Sequence, residues 1–154
     1  MIVSMPCYRP NVAAILVDGA GRILIAERIG NPGAWQFPQG GVGKRETHRL
    51  ALEREMKEEV GLDPDNYEVL EEKPGYRYLF PNGFRKNDRW DGQEQTYYLC
   101  RFLGTDASIV LDSDHPEFRD CRWIAPTDFR IEWVPEFKRE VYRKVFREFF
   151  GVEL

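Results

Sequence analysis

Long apolar runs, cysteine and histidine are all scarce in this 154-residue chain. No apolar run approaches the roughly 18–20 residues that a membrane span requires, and the first residues carry no charged-then-apolar signal segment. We therefore expect a cytoplasmic protein with no membrane association.

Cysteine occurs only at Cys7, Cys100 and Cys121. This odd, scattered set has no zinc spacing, so we expect three buried free thiols and no disulfide framework. His48 and His115 are the only histidines, and we expect His48 to be solvated at a helix start.

The composition is typical of a folded globular chain. Apolar residues make up 42% and aromatic residues 14%, which argues against disorder. The length suits a single domain over residues 1–154, because no repeat, low-complexity tract or linker divides it. A net charge of −4 does not decide for or against nucleic acid, but basic residues gather at 85–89 and again at 138–147. Such clusters allow a mildly acidic protein to carry a basic channel for a phosphate chain.

Hydrophobic patterning predicts strands interleaved with two helices. The segments 11–17 and 22–29 form a predicted hairpin around Asp18-Gly19, followed by a short strand at 35–37 and a glycine loop at 40–43. A helix is predicted from the N-cap Thr47 to Gly61, which suits the left-handed end of a helix. Further strands are predicted at 67–80 (with a break at 74–75), 95–103, 108–111 and 121–124, a loop at 81–94, and a final helix from Pro135 to about residue 150. A mixed sheet held between helices fits this pattern.

The first predicted helix carries three carboxylates on one face. Glu55, Glu58 and Glu59 stand at i, i+3 and i+4, so their side chains lie close together and repel one another. A divalent cation is the simplest compensating partner. Magnesium prefers oxygen ligands and commonly keeps waters and substrate phosphates. Two or more such ions would neutralise a polyphosphate and activate a water, and Gly40 would offer a backbone carbonyl to them. The alternative is a solvated acidic face paired with lysines.

The residues around these glutamates stand at fixed offsets. Glu46 lies outside the carboxylate face and is predicted to pair with Arg54, which braces the loop against the helix. Together the set matches every specified position of the Nudix box, G-x5-E-x7-R-E-U-x-E-E-x-G-U with U apolar: Gly40, Glu46, Arg54, Glu55, Glu58, Glu59 and Gly61. This resemblance implies an α/β/α sandwich with a mixed β-sheet, in which the box forms a loop–helix–loop. It also implies Mg²⁺- or Mn²⁺-dependent hydrolysis of a nucleoside diphosphate linked to another group.

Residues outside the Nudix box resemble those of one group within the Nudix hydrolases. The segments that carry it are Tyr8-Arg9-Pro10-Asn11-Val12, Trp35-Gln36-Phe37-Pro38-Gln39-Gly40-Gly41, Gly92-Gln93-x-Gln95, Pro116-Glu117-Phe118 and Phe137-Lys138-Arg139. From about residue 8 to 150 the chain is similar to the bacterial RNA pyrophosphohydrolases. Those enzymes convert a 5′-triphosphate RNA end to a monophosphate, which exposes the transcript to decay.

The resemblance also implies roles for individual residues. Glu59 is the expected shared metal ligand, Glu55 and Glu58 complete the site, and Glu117 faces the metals as a ligand or a base. The remaining matches are to substrate contacts: Arg9 and Arg28 at the phosphates or the terminal nucleotide, Gln39, Tyr78 and Gln93 along the cleft, and Phe137 and Lys138 at the second nucleotide. Bidentate guanidinium groups suit phosphate oxygens, and an aromatic face with a nearby cation suits a nucleotide.

Several alternatives stay open at the level of sequence. Free GTP, another nucleoside triphosphate or a diadenosine polyphosphate presents the same phosphate chain as an RNA end. A non-catalytic Nudix module that binds nucleotide or RNA is an alternative of another class, although such modules usually lose glutamates that this chain retains. Glu27 and Glu136 depart from the family pattern, which predicts weaker RNA contact. Neither the general base nor any activating protein partner is identified by the sequence.

Overall fold

Seven strands and two α-helices are found in residues 4–154, the part of the chain that the structure, a computed structural model, describes. The strands are β1 (Tyr8–Val17), β2 (Ile23–Arg28), β3 (Trp35–Gln36), β4 (Gln39–Gly41), β5 (Tyr67–Leu79), β6 (Gly92–Phe102) and β7 (Phe118–Ile124). The helices are α1 (His48–Val60) and α2 (Arg139–Phe150). Neither helix is long and apolar enough to cross a membrane.

Strand β1 organises the sheet. It runs parallel to β6 from the pair Tyr8–Gly92 to the pair Val17–Arg101, whereas all other named strand pairs are antiparallel. Its second edge is divided, because β2 pairs with it only at Val17–Ile23 and β4 pairs with residues 11–13. Beyond that point β2 continues with β3 and β7. The sheet is therefore mixed, and two different strands border β1 along one edge.

The two helices cover opposite faces of this sheet. Neighbouring residues of β1 alternate between the faces, as side chains of a strand must. Val12, Ala14 and Leu16 pack in the cluster under α1, with Leu52, Met56 and Val60. Ala13 and Ile15 pack in the cluster under α2, with Tyr97, Val141, Val145 and Phe146. The α/β/α arrangement with a mixed sheet is confirmed.

Helix α1 forms as its sequence predicts. The Thr47 hydroxyl accepts a hydrogen bond from the Leu50 amide at 3.2 Å, which caps the first turn. The predicted apolar stripe of Leu52, Met56 and Val60 is fully buried. Gly61 ends the helix with φ 74°, in the left-handed region that glycine adopts without a steric penalty.

Several local predictions are wrong. Gly40 and Gly41 lie in strand β4 rather than in a loop, because they pair with β1. Residues 108–111 form no strand; a 3-10 turn ends at Ser108, and the Val110 amide donates to the Val60 carbonyl at 2.8 Å. Cys7 is exposed, whereas Cys100 is buried and Cys121 is half-buried. Pro135 precedes a short 3-10 turn, and α2 begins only at Arg139.

The predicted loop at 81–94 is ordered. The Lys86 amide donates to the Trp90 carbonyl at 2.9 Å, and the Trp90 amide donates to the Lys86 carbonyl at 3.0 Å. Asn87 and Asp88 form the turn between them, with φ of 54° and 53°, a conformation that Asn and Asp tolerate. Strand β6 starts three residues earlier than predicted, at Gly92. The predicted break at 74–75 is instead a shift of register within a continuous β5.

Candidate active site

Two carboxyl groups of α1 lie buried side by side. Glu59 is only 4% exposed and the Glu55 side chain 13% exposed. The two carboxyl groups influence each other's ionisation, and the Gln39 amide donates to Glu59 Oε2 at 3.1 Å. Burial, followed by the charges of Glu55 and Glu117, raises the pKa of Glu59 to about 10. Glu59 therefore carries a proton at neutral pH unless a cation replaces it.

Arg54 contacts most of the acidic cluster. Its guanidinium group binds Glu46 through two hydrogen bonds of 2.7 and 2.8 Å, and it reaches Glu55 at 2.7 Å and Glu58 at 3.3 Å. It also donates to the Gly41 carbonyl at 2.8 Å, which connects the helix to β4. Arg54 thus offsets part of the repulsion among these carboxylates, for which a divalent cation was the simplest partner expected from the sequence. The Glu58 side chain, unlike that of Glu55, remains 58% exposed.

The two glycines of β4 allow charged side chains to approach the strand closely. A Cβ atom on Gly40 would overlap the Glu55 carboxyl group, and a Cβ atom on Gly41 would overlap the Arg9 guanidinium group. Arg9 and Glu55 are therefore held beside consecutive residues of one strand. Because neighbouring residues of a strand face opposite sides of the sheet, Arg9 and Glu55 approach β4 from opposite faces.

Four cations lie near one another in the same region: Arg9, Arg28, Lys86 and Lys138. Within residues 4–154 none of them forms an ion pair with a carboxylate. Burial, then Arg28 and then Lys86, lowers the pKa of Lys138 to about 8. Burial and the charges of Arg9 and Arg28 also lower the pKa of Lys86. Uncompensated cations at close quarters favour an anion.

Sequence analysis did not assign Lys86 to the site. The available signal was the basic cluster at 85–89, which follows the strand that carries Tyr78. The tight turn at Asn87 and Asp88 brings Lys86 near Arg9 and Arg28, and such long-range placement is not visible in local sequence.

Glu117 is an exposed residue immediately before β7. Its carboxylate contributes to the raised pKa of Glu59, and it opposes the lowering of the Lys86 pKa. It therefore lies within electrostatic reach of both the carboxylate pair and the cations. The Ile29 amide donates to the Glu117 carbonyl at 3.0 Å, which fixes this loop to the end of β2.

Amide and hydroxyl groups form the buried floor of the site. The Gln93 amide nitrogen donates to Tyr78 Oη at 2.6 Å, and Asn11 Nδ2 donates to Gln93 Oε1 at 2.7 Å. Gln95 Nε2 donates to Asn11 Oδ1 at 2.9 Å and to Gln39 Oε1 at 2.5 Å. Sequence analysis included Tyr78, Gln93 and Gln39 but missed the roles of Asn11 and Gln95. The signal was their polarity in the first halves of strands whose later residues are mostly apolar.

Aromatic side chains form one end of the site. The half-buried Phe137 ring lies 5.6 Å from the Tyr78 ring and 6.5 Å from the Phe80 ring, between centroids. Lys138 Nζ lies 5.6 Å from the Tyr78 ring centroid. An adjacent cavity of about 480 Å³ is bordered by Arg28, Trp133 and Lys138, among other residues. Phe137 thus packs against the core, next to Lys138, which borders the cavity.

Glu27 and Glu136 are the two residues that depart from the family pattern, and the structure shows where each one lies. Glu27 accepts hydrogen bonds from Arg119 at 2.6 Å and from the Gly33 amide at 2.9 Å, so it braces the chain after β2. Glu136 is exposed in the turn before α2. His48 is exposed at the start of α1, as predicted. Among residues 4–154, neither Glu27 nor Glu136 forms an ion pair with Arg9, Arg28, Lys86 or Lys138.

The carboxylate side of the site fits a hard divalent cation. Glu55 and Glu59 supply oxygen ligands, and burial raises the pKa of both carboxyl groups although Arg54 pairs with Glu55. Within the described chain, no three His, Cys, Asp or Glu side chains converge into a closed metal cage. Magnesium commonly takes one or two carboxylates and completes its shell with waters and substrate phosphates, so Glu55 and Glu59 would suffice as its protein ligands.

Comparison with known proteins places this site in a family. A family model described as the NUDIX domain matches residues 8–147. An RNA pyrophosphohydrolase of Teredinibacter turnerae is 41% identical over 145 residues, covering 92% of this chain and 84% of that protein. Its counterpart from Dinoroseobacter shibae is 40% identical over 153 residues, covering 96% and 94%. The E. coli dihydroneopterin triphosphate pyrophosphohydrolase shares the fold, with a TM-score of 0.68 at 18% identity over 93% of this chain and 97% of that one. The chain therefore belongs to the Nudix family, in the group of the RNA pyrophosphohydrolases.

Proposed function

We propose that this protein is a pyrophosphohydrolase that acts on 5′-triphosphate RNA ends and leaves a 5′-monophosphate. The observation that carries the proposal is that Glu117 lies within electrostatic reach of two groups: the carboxylate pair Glu55 and Glu59, and a set of cations that form no ion pair within residues 4–154. A triphosphate with bound metal ions matches both the carboxylates and the cationic side chains. Its oxygens bind metal on one side and guanidinium or ammonium groups on the other.

Nudix hydrolases use divalent cations such as Mg²⁺ or Mn²⁺. Here we assign two or more ions to the oxygen donors of Glu55, Glu58, Glu59, Glu117 and the Gly40 carbonyl. Bound cations neutralise phosphate charge and activate water for attack on phosphorus. The burial of Glu59 supports its place as the shared ligand, since a cation relieves the cost of a buried negative charge.

The other side chains bind and orient the substrate. Arg9, Arg28 and Lys86 contact the phosphate chain, since each lacks a carboxylate partner and lies near the others. Arg28 and Lys138 border a cavity, and Lys138 Nζ lies 5.8 Å from the centroid of the Phe137 ring. We assign that cavity to the second nucleotide, with the ring against a base and the ammonium group near a phosphate.

Replacing Glu59 with Gln tests the carboxylate side. The amide keeps the size of the side chain but loses the negative charge, so kcat should fall by roughly 10²–10³-fold. The matched control is Glu53→Gln, another half-buried glutamate of α1 that makes none of the contacts described above. Steady-state hydrolysis of a 5′-triphosphate oligonucleotide with Mg²⁺ gives the comparison, and near-normal turnover by Glu59→Gln excludes its metal role.

Replacing Lys138 with Ala tests the choice of RNA. Loss of its ammonium group should reduce kcat/KM roughly tenfold on a 5′-triphosphate oligonucleotide and less on free GTP or diadenosine tetraphosphate, which lack the second RNA nucleotide. Lys144→Ala is the control, because Lys144 also lies over an aromatic ring, that of Tyr76, but on the exposed side of α2. An equal loss on all three substrates contradicts a role in holding the second nucleotide. A wild-type preference for GTP or the dinucleotide contradicts the RNA assignment itself.

A further inference from the structure

In the hydrogen-bond network on the floor of the site, Gln95 is the donor and Asn11 and Gln39 are the acceptors. Gln95 is fully buried, and its Nε2 group uses its donors on Asn11 Oδ1 and Gln39 Oε1. The carbonyl oxygen of the Gln39 side chain is therefore engaged with Gln95. Gln39 Nε2 has no acceptor among residues 4–154, and Gln39 is only half-buried. The Gln39 amide thus turns its donor end away from the floor.

At the other end of the network, the Tyr78 hydroxyl group likewise acts as an acceptor. Tyr78 Oη accepts from Gln93 Nε2, which is itself fixed because Gln93 Oε1 accepts from Asn11. The Tyr78 hydroxyl hydrogen takes no part in that bond. Burial raises the pKa of Tyr78, so the hydroxyl keeps its proton across the physiological range. Both ends of the network therefore present donors, Gln39 Nε2 and Tyr78 Oη.

We propose that Asn11 and Gln95 are positioning residues that preset these two donors for the phosphate chain. The inference rests on the proposed function, since it requires an anionic substrate in the cleft. Donors to charged oxygens make strong hydrogen bonds, and donors oriented in advance need no rearrangement when the anion arrives. Gln39 also connects the two halves of the site, because its backbone amide binds Glu59 while its side chain points a donor towards the substrate.

A double-mutant cycle tests the link between Gln95 and Gln39. Gln95→Met and Gln39→Met preserve side-chain length and remove the amides. We expect each to weaken binding of inorganic tripolyphosphate in Ca²⁺ buffer about tenfold, measured by calorimetry. The double variant should bind no more weakly than either single variant, because both remove the same donor. In hydrolysis, KM should rise while kcat stays within about twofold. Additive losses, or a fall in kcat alone, overturn the positioning role.

Nuclear magnetic resonance of the wild-type protein tests the same inference without relying on a variant to fold. The Gln39 side-chain amide signals, identified by their absence in Gln39→Met, should shift on addition of tripolyphosphate. Those of Gln95 should exchange slowly with solvent, since both donors are engaged within the protein. Unshifted Gln39 signals overturn the inference, as does a wild type that does not bind tripolyphosphate. A wild type that binds tripolyphosphate but does not hydrolyse RNA overturns only the proposed function.

Discussion

Glycine at positions 40 and 41 controls how closely two charged side chains approach strand β4. Gly41→Ala should displace the Arg9 guanidinium group and raise KM roughly tenfold with little change in kcat, because a phosphate contact weakens. Gly40→Ala should displace the Glu55 carboxyl group and lower kcat instead. Steady-state kinetics with a 5′-triphosphate oligonucleotide separates the two effects.

Gly19 provides the control for this pair. It lies in the turn between β1 and β2 with no atom within 4 Å of an added Cβ, so Gly19→Ala should leave both kinetic constants unchanged. If Gly40→Ala and Gly41→Ala give the same pattern of KM and kcat, then Arg9 and Glu55 do not divide binding from turnover as we propose.

At the scale of elements, the two α-helices end on glycines of similar conformation but different surroundings. Gly61 and Gly151 have φ of 74° and 66°. An added methyl group at Gly61 would collide with the side chain and backbone of Val110, whereas nothing lies near Gly151. Alanine in the left-handed region costs about 1–2 kcal/mol. We expect Gly151→Ala to lower the free energy of unfolding by about 1 kcal/mol.

Gly61→Ala should cost about 2–3 kcal/mol, because strain from crowding adds to the backbone penalty. Urea unfolding of both variants measures the difference. Equal losses would falsify the steric role of Val110, whose amide binds the carbonyl of Val60 at the same helix end.

The elements that sequence predicts well are those with a local cause. Helix α1 follows from the Thr47 cap, the four-residue apolar repeat and Gly61, and all of these signals lie within the helix itself. Strand β4 was predicted as a loop because Gly40 and Gly41 have low strand propensity, and pairing with β1 overrides it. The segment 108–111 resembles a strand in composition, but its backbone bonds the end of α1 instead of a neighbouring strand.

At the scale of the whole molecule, the site draws on residues far apart in sequence. The box spacing predicts the cluster of Glu55, Glu58 and Glu59 because they share one helix. The place of Lys86 and Gln95 in the site is not predicted from the sequence. Their neighbours are set by the pairing of β1 with β6 and by the turn at Asn87 and Asp88. No local pattern reports such long-range contacts.

The buried Glu59 carboxyl group links stability to pH in the metal-free protein. Its pKa rises from 4.5 to about 10 on folding. Its contribution to stability is therefore complete below about pH 4.5 and is lost as pH rises towards 10. At pH 9 without metal, Glu59→Gln should unfold with a free energy higher than wild type by at least about 1 kcal/mol, because wild-type Glu59 must take up a proton on folding and the neutral amide does not.

Urea unfolding at pH 6 and pH 9, with chelator or with Mg²⁺, checks this expectation. Mg²⁺ should stabilise the wild type more than Glu59→Gln, since the cation binds the folded carboxylate. Glu53→Gln should follow the wild type at both pH values. Identical pH dependence of the wild type and Glu59→Gln contradicts a buried charge at this position.

The parallel pairing of β1 with β6 also sets an order of events during synthesis. Residues 12–16 of β1 are buried on both faces of the sheet, yet their neighbour β6 begins only at Gly92. Until β6 has left the ribosome, the apolar β1 has an unpaired edge, and unpaired apolar edges are prone to aggregation. The central pairing of the sheet can therefore form only after about two-thirds of the chain has been made.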